Sequence, residues 1–390
     1  MKKNGIILIF LLMLPCFSAF AANYPFPQNS TYAYGILPTA YDATSDVQTI
    51  YETWRNAYYE ESGELARIKF DAPDQTVSEG IAYGMLIMVF MDNTTNDTQD
   101  AFDKLWKYYN SFLNNNGLMH WKISGFKSVT EQNAATDAEV DAALALIMAY
   151  KQWGDVQYLT DAKALIAKIR QHEVNSNKYL KPGDVWDDKK NPSYFSIVAL
   201  RLFAEVDTGY MAFWNEVIAN SYSLILAARN STTGLVPDWC DETGKPLDTN
   251  FSYDAVRVPW RMAWAYLWYG DADAHTVADD ISSWIKTAVS GDPTLVKDGY
   301  NLDGSVSGSW NNPTFVGGFT TAALVDSQHQ AWLDASSAYL VSFTDDQSYF
   351  NKTLQMLYAL LATGNMPNLW EDTEASSGNA FLPAMLLLLL

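Results

Sequence analysis

Three acids stand directly before long apolar stretches of the chain: Glu79 in Ser78-Glu79 before 80–91, Asp137 in Thr136-Asp137 before 142–150, and Asp254 in Ser252-Tyr253-Asp254 before 258–268. Any one of them reads best as a helix cap, because Ser, Thr and Asp satisfy the free backbone N–H groups at a helix start. Several acids at the same end of buried helices raise a second reading, a shared acidic mouth. Other chemistries lack their residues. The four histidines, His120, His172, His275 and His329, have no metal-ligand spacing, and there is no cysteine pair, Gly-x-Ser-x-Gly turn or phosphate-binding glycine loop. Neither a metal nor a cofactor is expected. What remains to test is hydrolysis by two carboxyl groups, one giving a proton and one taking it, with aromatic rings holding the substrate.

To position such groups the chain offers helices. Apolar residues recur at helical spacing, as in Ile50, Trp54 and Tyr58, or Phe102, Leu105, Tyr108, Tyr109 and Phe112. Further helical stretches are predicted near 137–153, 159–173, 193–205, 213–228, 255–269, 275–289, 328–341, 345–363 and 377–390. Strand-like alternation is scarce, so the fold class is all-α with roughly a dozen helices. Two kinds of helix alternate. Those at 97–114 and 158–172 are charged on one face, whereas 80–91, 142–150, 258–268 and 381–390 are apolar nearly all round and must be buried on every side. An inner ring of apolar helices wrapped by an outer amphipathic ring satisfies both.

The chain opens with Met1-Lys2-Lys3, continues through apolar residues 6–14 and reaches Ala19-Phe20-Ala21, the order of charge, apolar run and small residues of a secretory signal peptide. Residues 1–21 are therefore expected to be removed and the protein exported, extracellular or periplasmic. The whole chain carries a net charge of −20, and loss of Lys2 and Lys3 makes it −22, a surface that repels nucleic acid and anionic membranes. With Cys16 gone only Cys240 remains, so no internal disulfide is expected. No Pro/Ser/Thr-rich linker or low-complexity tract interrupts residues 22–390, which favours one large domain, expected to be monomeric.

Several segments resemble one family. Ala135-Thr136-Asp137-Ala138-Glu139-Val140-Asp141 looks like the signature of glycoside hydrolase family 8. In family order lie Val77-Ser78-Glu79-Gly80-Ile81-Ala82-Tyr83-Gly84-Met85, Asn116-Gly117-Leu118-Met119-His120-Trp121, Leu180-Lys181-Pro182-Gly183-Asp184-Val185-Trp186, Asn191-Pro192-Ser193-Tyr194-Phe195, Gly234-Leu235-Val236-Pro237-Asp238-Trp239-Cys240 and Tyr253-Asp254-Ala255-Val256-Arg257. The likeness runs from about residue 30 to Gly364-Asn365. One departure is Glu139, where many members carry Asp.

The resemblance implies an (α/α)6 barrel, six inner and six outer helices with a cleft at the N-terminal ends of the inner ones, and an inverting endo-acting glycosidase. It places the general acid on Glu79 and the general base on Asp254. Asp137 is expected to bind the sugar at the cleavage subsite, Tyr194 to orient the attacking water, and Arg257 to keep the base ionised. Trp121 and Trp186 match positions that stack glucose rings, and Tyr253 is expected to line the same cleft. Trp260 and Trp264, inside an apolar helix, read as core, and Trp239 is left unassigned. Inversion calls for carboxyls roughly 6.5–9.5 Å apart. The substrate implied is a β-1,4-glucan such as cellulose, with water as co-substrate. Xylan, lichenan or chitosan is the alternative within the family, and a non-catalytic glucan binder is the alternative outside catalysis.

Overall fold

Helices that are apolar all round and helices that are apolar on one face sort into two rings in the computed structural model, which describes residues 22–39, 43–344 and 348–371. The outer ring is α1 (Ala43–Tyr58), α3 (Gln99–Ser111), α5 (Val156–His172), α7 (Met211–Ala228), α9 (Ala272–Ala288) and α11 (Gln330–Val341). The inner ring is α2 (Ser78–Met91), α4 (Thr136–Trp153), α6 (Ile197–Val206), α8 (Arg257–Tyr269), α10 (Pro313–Ala322) and α12 (Tyr349–Ala362). Each inner helix packs on the next, and α12 returns to α2, which closes the barrel. Each outer helix lies against the inner helix adjoining it in sequence, with α1 covering α12. The expected (α/α)6 barrel is the observed architecture. Trp260 and Trp264 are fully buried in its core, as expected.

The burial pattern follows from composition. Every residue of α2 except Glu79 is buried, so an amphipathic helix could not have served there. In α3 the buried residues Ala101, Phe102, Leu105, Tyr108 and Tyr109 form one stripe. Residues 1–21 and the apolar stretch 377–390 lie outside the described residues. Among the described residues no helix is long and apolar enough to cross a membrane.

Two parts of the architecture were not anticipated. Short strands join the helices: a hairpin of β1 (Tyr59–Ser62) and β2 (Leu65–Ile68), a three-stranded antiparallel sheet of β3 (Gln75–Val77), β4 (Lys122–Ser124) and β5 (Ser128–Glu131), and the pair β6 (Asn250–Phe251) with β7 (Tyr300–Asn301). Runs of two to four residues are too short to show alternation. The other is α10, whose Gly317-Gly318 pair and β-branched residues argue against a helix locally. Packing reverses that preference. A Cβ at Gly317 would fall inside the Tyr358 ring of α12, and one at Gly318 would press on the Val256 carbonyl oxygen at 2.8 Å.

One polar tie crosses the barrel core. Arg261 of α8 donates from Nη1 to Asp141 Oδ1 at 2.7 Å and from Nη2 to Asp141 Oδ2 at 2.5 Å, and Nη1 also reaches Ser196 Oγ beside α6 at 3.2 Å. Both charged side chains are 1% exposed. The two-pronged geometry fixes α8 against α4 in rotation as well as distance. Asp141→Ala is expected to destabilise by about 3–5 kcal/mol by stranding a buried cation, and Asp141→Leu with Arg261→Met to recover most of that loss. Urea denaturation of both variants checks this; equal destabilisation of single and double variants would show that the ion pair is not the cause.

Candidate active site

The N-terminal ends of the inner helices meet at one mouth, and a single cation organises it. Arg257, the first residue of α8, lies on the barrel side and is 2% exposed. Its Nη1 donates to Glu79 Oε2 at 2.7 Å, to Asp137 Oδ2 at 2.9 Å and to Tyr83 Oη at 3.3 Å, and its Nη2 donates to Asp254 Oδ1 at 3.0 Å. The Tyr194 ring lies 5.4 Å from the guanidinium carbon, carried by the 3-10 turn Pro192–Tyr194 that leads into α6. All five residues named from the sequence as reacting or assisting groups therefore converge. Two hydrogen bonds and the width of one guanidinium cap the separation of Glu79 Oε2 and Asp254 Oδ1 at about 8 Å, compatible with a water between the carboxyls.

The capping explanation for these acids is largely replaced. Neither Glu79 nor Asp254 caps a helix, and among the described backbone N–H groups Asp137 accepts only from that of the adjacent Ala138, at 3.0 Å. Other side chains hold the backbone. Asp238 Oδ1 accepts from Ser252 N and Ala255 N, at 2.9 and 2.8 Å, bracing the turn that carries Asp254. Asn312 caps α10 through Phe315 N, Ser348 caps α12 through Asn351 N, and Asp71 accepts from Tyr349 N at 2.7 Å.

The three acids differ in environment. Side-chain exposure is 18% for Glu79, 4% for Asp137 and 33% for Asp254. Burial pushes Glu79 up to about 7, against the attraction of Arg257, with Asp137 and Asp254 adding repulsion and the Tyr349 hydrogen bond opposing it. Burial likewise pushes Asp137 up to about 6, held back by Arg257. A carboxyl that keeps its proton near neutrality beside a more exposed one is the asymmetry that acid/base catalysis needs. Burial and the neighbouring Asp137 hold the Tyr194 phenol well above its ordinary value, so it is a neutral hydroxyl.

A cavity of about 450 Å³ opens over these groups, lined by Glu79, Tyr194, Tyr253, Asp254 and Arg257 with Phe70 and Phe350. Tyr253 stands in it, 40% exposed, as expected of a cleft residue. Trp186, also 40% exposed, lies outside this cavity and stacks at 6.5 Å and 23° on Trp239, whose ring meets Tyr194 edge-on at 6.4 Å. Trp239, unassigned from sequence, thus links Trp186 to the centre. Trp121 is fixed by its backbone: its carbonyl accepts from Ser78 N at 2.9 Å and its N–H donates to Asn133 O at 2.8 Å. That places it beside the segment carrying Glu79.

Sequence reasoning missed three groups. Tyr349 donates to Glu79 Oε1 at 2.9 Å from 270 positions away, and no local signal could have found it. Tyr83 follows Glu79 by one helical turn, a spacing that did carry a signal. Behind Asp137, Glu139 and Glu173 are fully buried, and burial pushes both well above the ordinary carboxyl range, with Glu173 adding repulsion at Glu139 and Asp184 and Asp137 adding it at Glu173. Glu139, the departure from the family pattern, accepts from Tyr109 Oη at 3.1 Å.

The model of glycosyl hydrolases family 8 matches residues 24–364. The chain belongs to that family. It is accordingly a glycoside hydrolase. It is 39% identical over 374 residues to Endoglucanase 2 of Ruminiclostridium josui, covering 90% of this chain and 79% of the relative. Among solved structures, the β-1,3-1,4-glucanase of Paenibacillus sp.X4 superposes with a TM-score of 0.82 at 31% identity, covering 88% of this chain and 98% of that one. Rex8A from Paenibacillus barcinonensis, solved with xylose, superposes with a TM-score of 0.74 at 20% identity over 84% of this chain and 95% of its own, a likeness of fold.

If Glu79 must be protonated to act, kcat/KM falls as pH rises through about 7. Tyr349 favours the ionised form of Glu79, so Tyr349→Phe is expected to move this alkaline limb to higher pH. Initial rates on a soluble glucan from pH 4 to 10 check both, and identical limbs in the two proteins would remove Tyr349 from the proton's environment.

Proposed function

We propose that the protein is an exported, monomeric endo-β-1,4-glucanase that hydrolyses cellulose-type glucan with inversion, Glu79 acting as acid and Asp254 as base. The observation that carries this reading is the Arg257 fork, which holds a less exposed carboxyl, Glu79 at 18%, and a more exposed one, Asp254 at 33%, in the lining of one cavity. A water bound near Asp254 gives that carboxylate a proton as its oxygen attacks the anomeric carbon. The bond to the leaving oxygen breaks, and the Glu79 proton passes to it. Tyr194 is the proposed hydroxyl that holds the water, and Asp137, ionised against Arg257, the partner of the sugar whose ring flattens at the cleavage point. One guanidinium touching all three carboxyls keeps their positions through the proton transfers.

Trp121 and Trp186, with Trp239 behind, are the proposed stacking surfaces, since sugar C–H faces pack against aromatic planes. The glucan substrate rests on similarity to endoglucanases. Likeness to a β-1,3-1,4-glucanase favours lichenan as a second substrate. Export rests on the pattern of residues 1–21.

Reducing-end release from carboxymethylcellulose, lichenan, xylan and chitosan tests the substrate, with the first two expected to be cut and the others left; activity confined to xylan would overturn the glucan assignment. Glu79→Gln and Asp254→Asn are each expected to lower kcat by about 10³-fold or more while calorimetry still records oligosaccharide binding. Near-normal turnover in either variant would sink its assigned role. Proton NMR of the first product anomer separates inversion from retention.

A further inference from the structure

Trp310 is 74% exposed, more than any other large apolar side chain among the described residues. Its backbone is the opposite of loose. Asp298 Oδ1 accepts from Ser309 N and Trp310 N at 2.8 and 2.9 Å, and Asp298 N donates back to the Trp310 carbonyl at 2.9 Å. Next to it, Asn311 Nδ2 donates to the carbonyls of Pro293 and Val296, at 3.1 and 2.8 Å. Gly308 lies so close to Asp298 and Gly299 that no side chain would fit. The backbone is thus braced while the indole stands in water. Leaving so large an apolar surface wet forgoes the stabilisation of burial. Rigid, solvent-facing aromatics are the side chains that bind with little loss of conformational freedom.

The same carboxylate ties this indole to the catalytic cavity. Asp298 Oδ2 accepts from Tyr253 Oη at 3.0 Å, and Asn312 Nδ2, at the start of α10, donates to that same Oη at 3.0 Å. Tyr253 in turn faces Phe350 at 6.1 Å, and Phe350 lies next to Tyr349, which bonds Glu79. The aromatics Trp186 and Trp239 connect to the cavity through a different residue, Tyr194.

We infer that Trp310 is a stacking platform for a distal pyranose ring of a β-1,4-linked chain, on the leaving-group side and beyond Tyr253. The assignment of side rests on the proposed roles: Tyr349 bonds the proton donor and adjoins Phe350, which Tyr253 faces, whereas Trp239 reaches the cavity through Tyr194. The inference presupposes the glucan hydrolase reading and adds an outer subsite to it. Trp310 touches no reacting group, so its contribution is confined to chains long enough to reach it.

Cello-oligosaccharides labelled at the reducing end test this. Trp310→Ala is expected to lower kcat/KM on cellohexaose about 3- to 10-fold, the worth of one aromatic contact, while cellotetraose stays within about twofold. The bonds cut in labelled cellohexaose are expected to shift toward the reducing end, leaving fewer sugars on that side, and Trp310→Tyr to restore the wild-type pattern. Equal losses on both lengths, or an unchanged pattern of cut bonds, would overturn the platform. A shift toward the non-reducing end would overturn the assigned side. If the wild type cuts xylo-oligosaccharides and spares cello-oligosaccharides, the glucan reading fails, and the same comparison on xylotetraose and xylohexaose decides the platform by itself.

Discussion

A guanidinium buried among three carboxyls is the constraint on which this structure turns. Removing Arg257 and its partners from water costs several kcal/mol per charge, and only close, well-directed hydrogen bonds offset that cost. Those bonds come from α2, α4 and the turn before α8, segments far apart in sequence. The barrel must therefore bring three helix starts to one point with hydrogen-bond accuracy. One turn deeper, Arg261 and Asp141 repeat the α8–α4 contact, with both oxygens of one carboxylate engaged. The spacing of Arg257 to Arg261 and of Asp137 to Asp141 is four residues in each helix, so both ties lie on one face. The lower one fixes the rotation of the helices that the upper one requires.

One cation cannot neutralise three anions in a site of low polarity. The excess negative charge is relieved by retaining a proton, and it settles on Glu79: Asp137 is buried more deeply, but the charge and hydrogen bond of Arg257 and the charge of Arg261 hold it to about 6, below Glu79 at about 7. Helix starts work against this, since their free N–H groups favour anions. Burial outweighs them at Glu79. Asp254, more exposed and bonded through the second nitrogen of the fork, lies where a water can reach it. Two carboxyls on one arginine thus acquire different surroundings, as the proposed acid and base require.

Much of this was legible in the sequence, and the parts that were not share a cause. Three inner helices, α2, α4 and α8, announced themselves because residues buried on all sides must be apolar on all sides. The helix α10 did not, because its job is to let α12 and α8 approach, which selects glycine against helix propensity. The runs of two to four residues in the small strands were too short for periodicity to exist. In the site, residues within the family-like segments were found, and Tyr83 was recoverable from its spacing to Glu79. Tyr349 reaches Glu79 only through closure of the ring by α12, a relation that no stretch of chain contains. Trp239 was undecided because the same residue serves equally well as core or wall until its neighbours are known.

The ambiguity between capping and an acidic mouth has a physical resolution. A carboxylate that accepts two or three backbone N–H bonds is held in its charged form and has its lone pairs occupied, which would disqualify it as a proton donor. Four inner-helix starts show the separation of duties: Asn312, Ser348, Asp71 and Asp238 take the backbone bonds at α10, at α12 and at the turn before α8, and α2 begins from strand β3 with no side-chain cap at all. Glu79 and Asp254 are left with side-chain partners alone. Those partners belong to residues whose own positions are set by the barrel, so the proton on Glu79 and the placement of Asp254 answer to the tertiary fold and not to the local helix start. The acids stand where caps stand because the mouth is where the inner helices begin, and they are free to react because other residues do the capping.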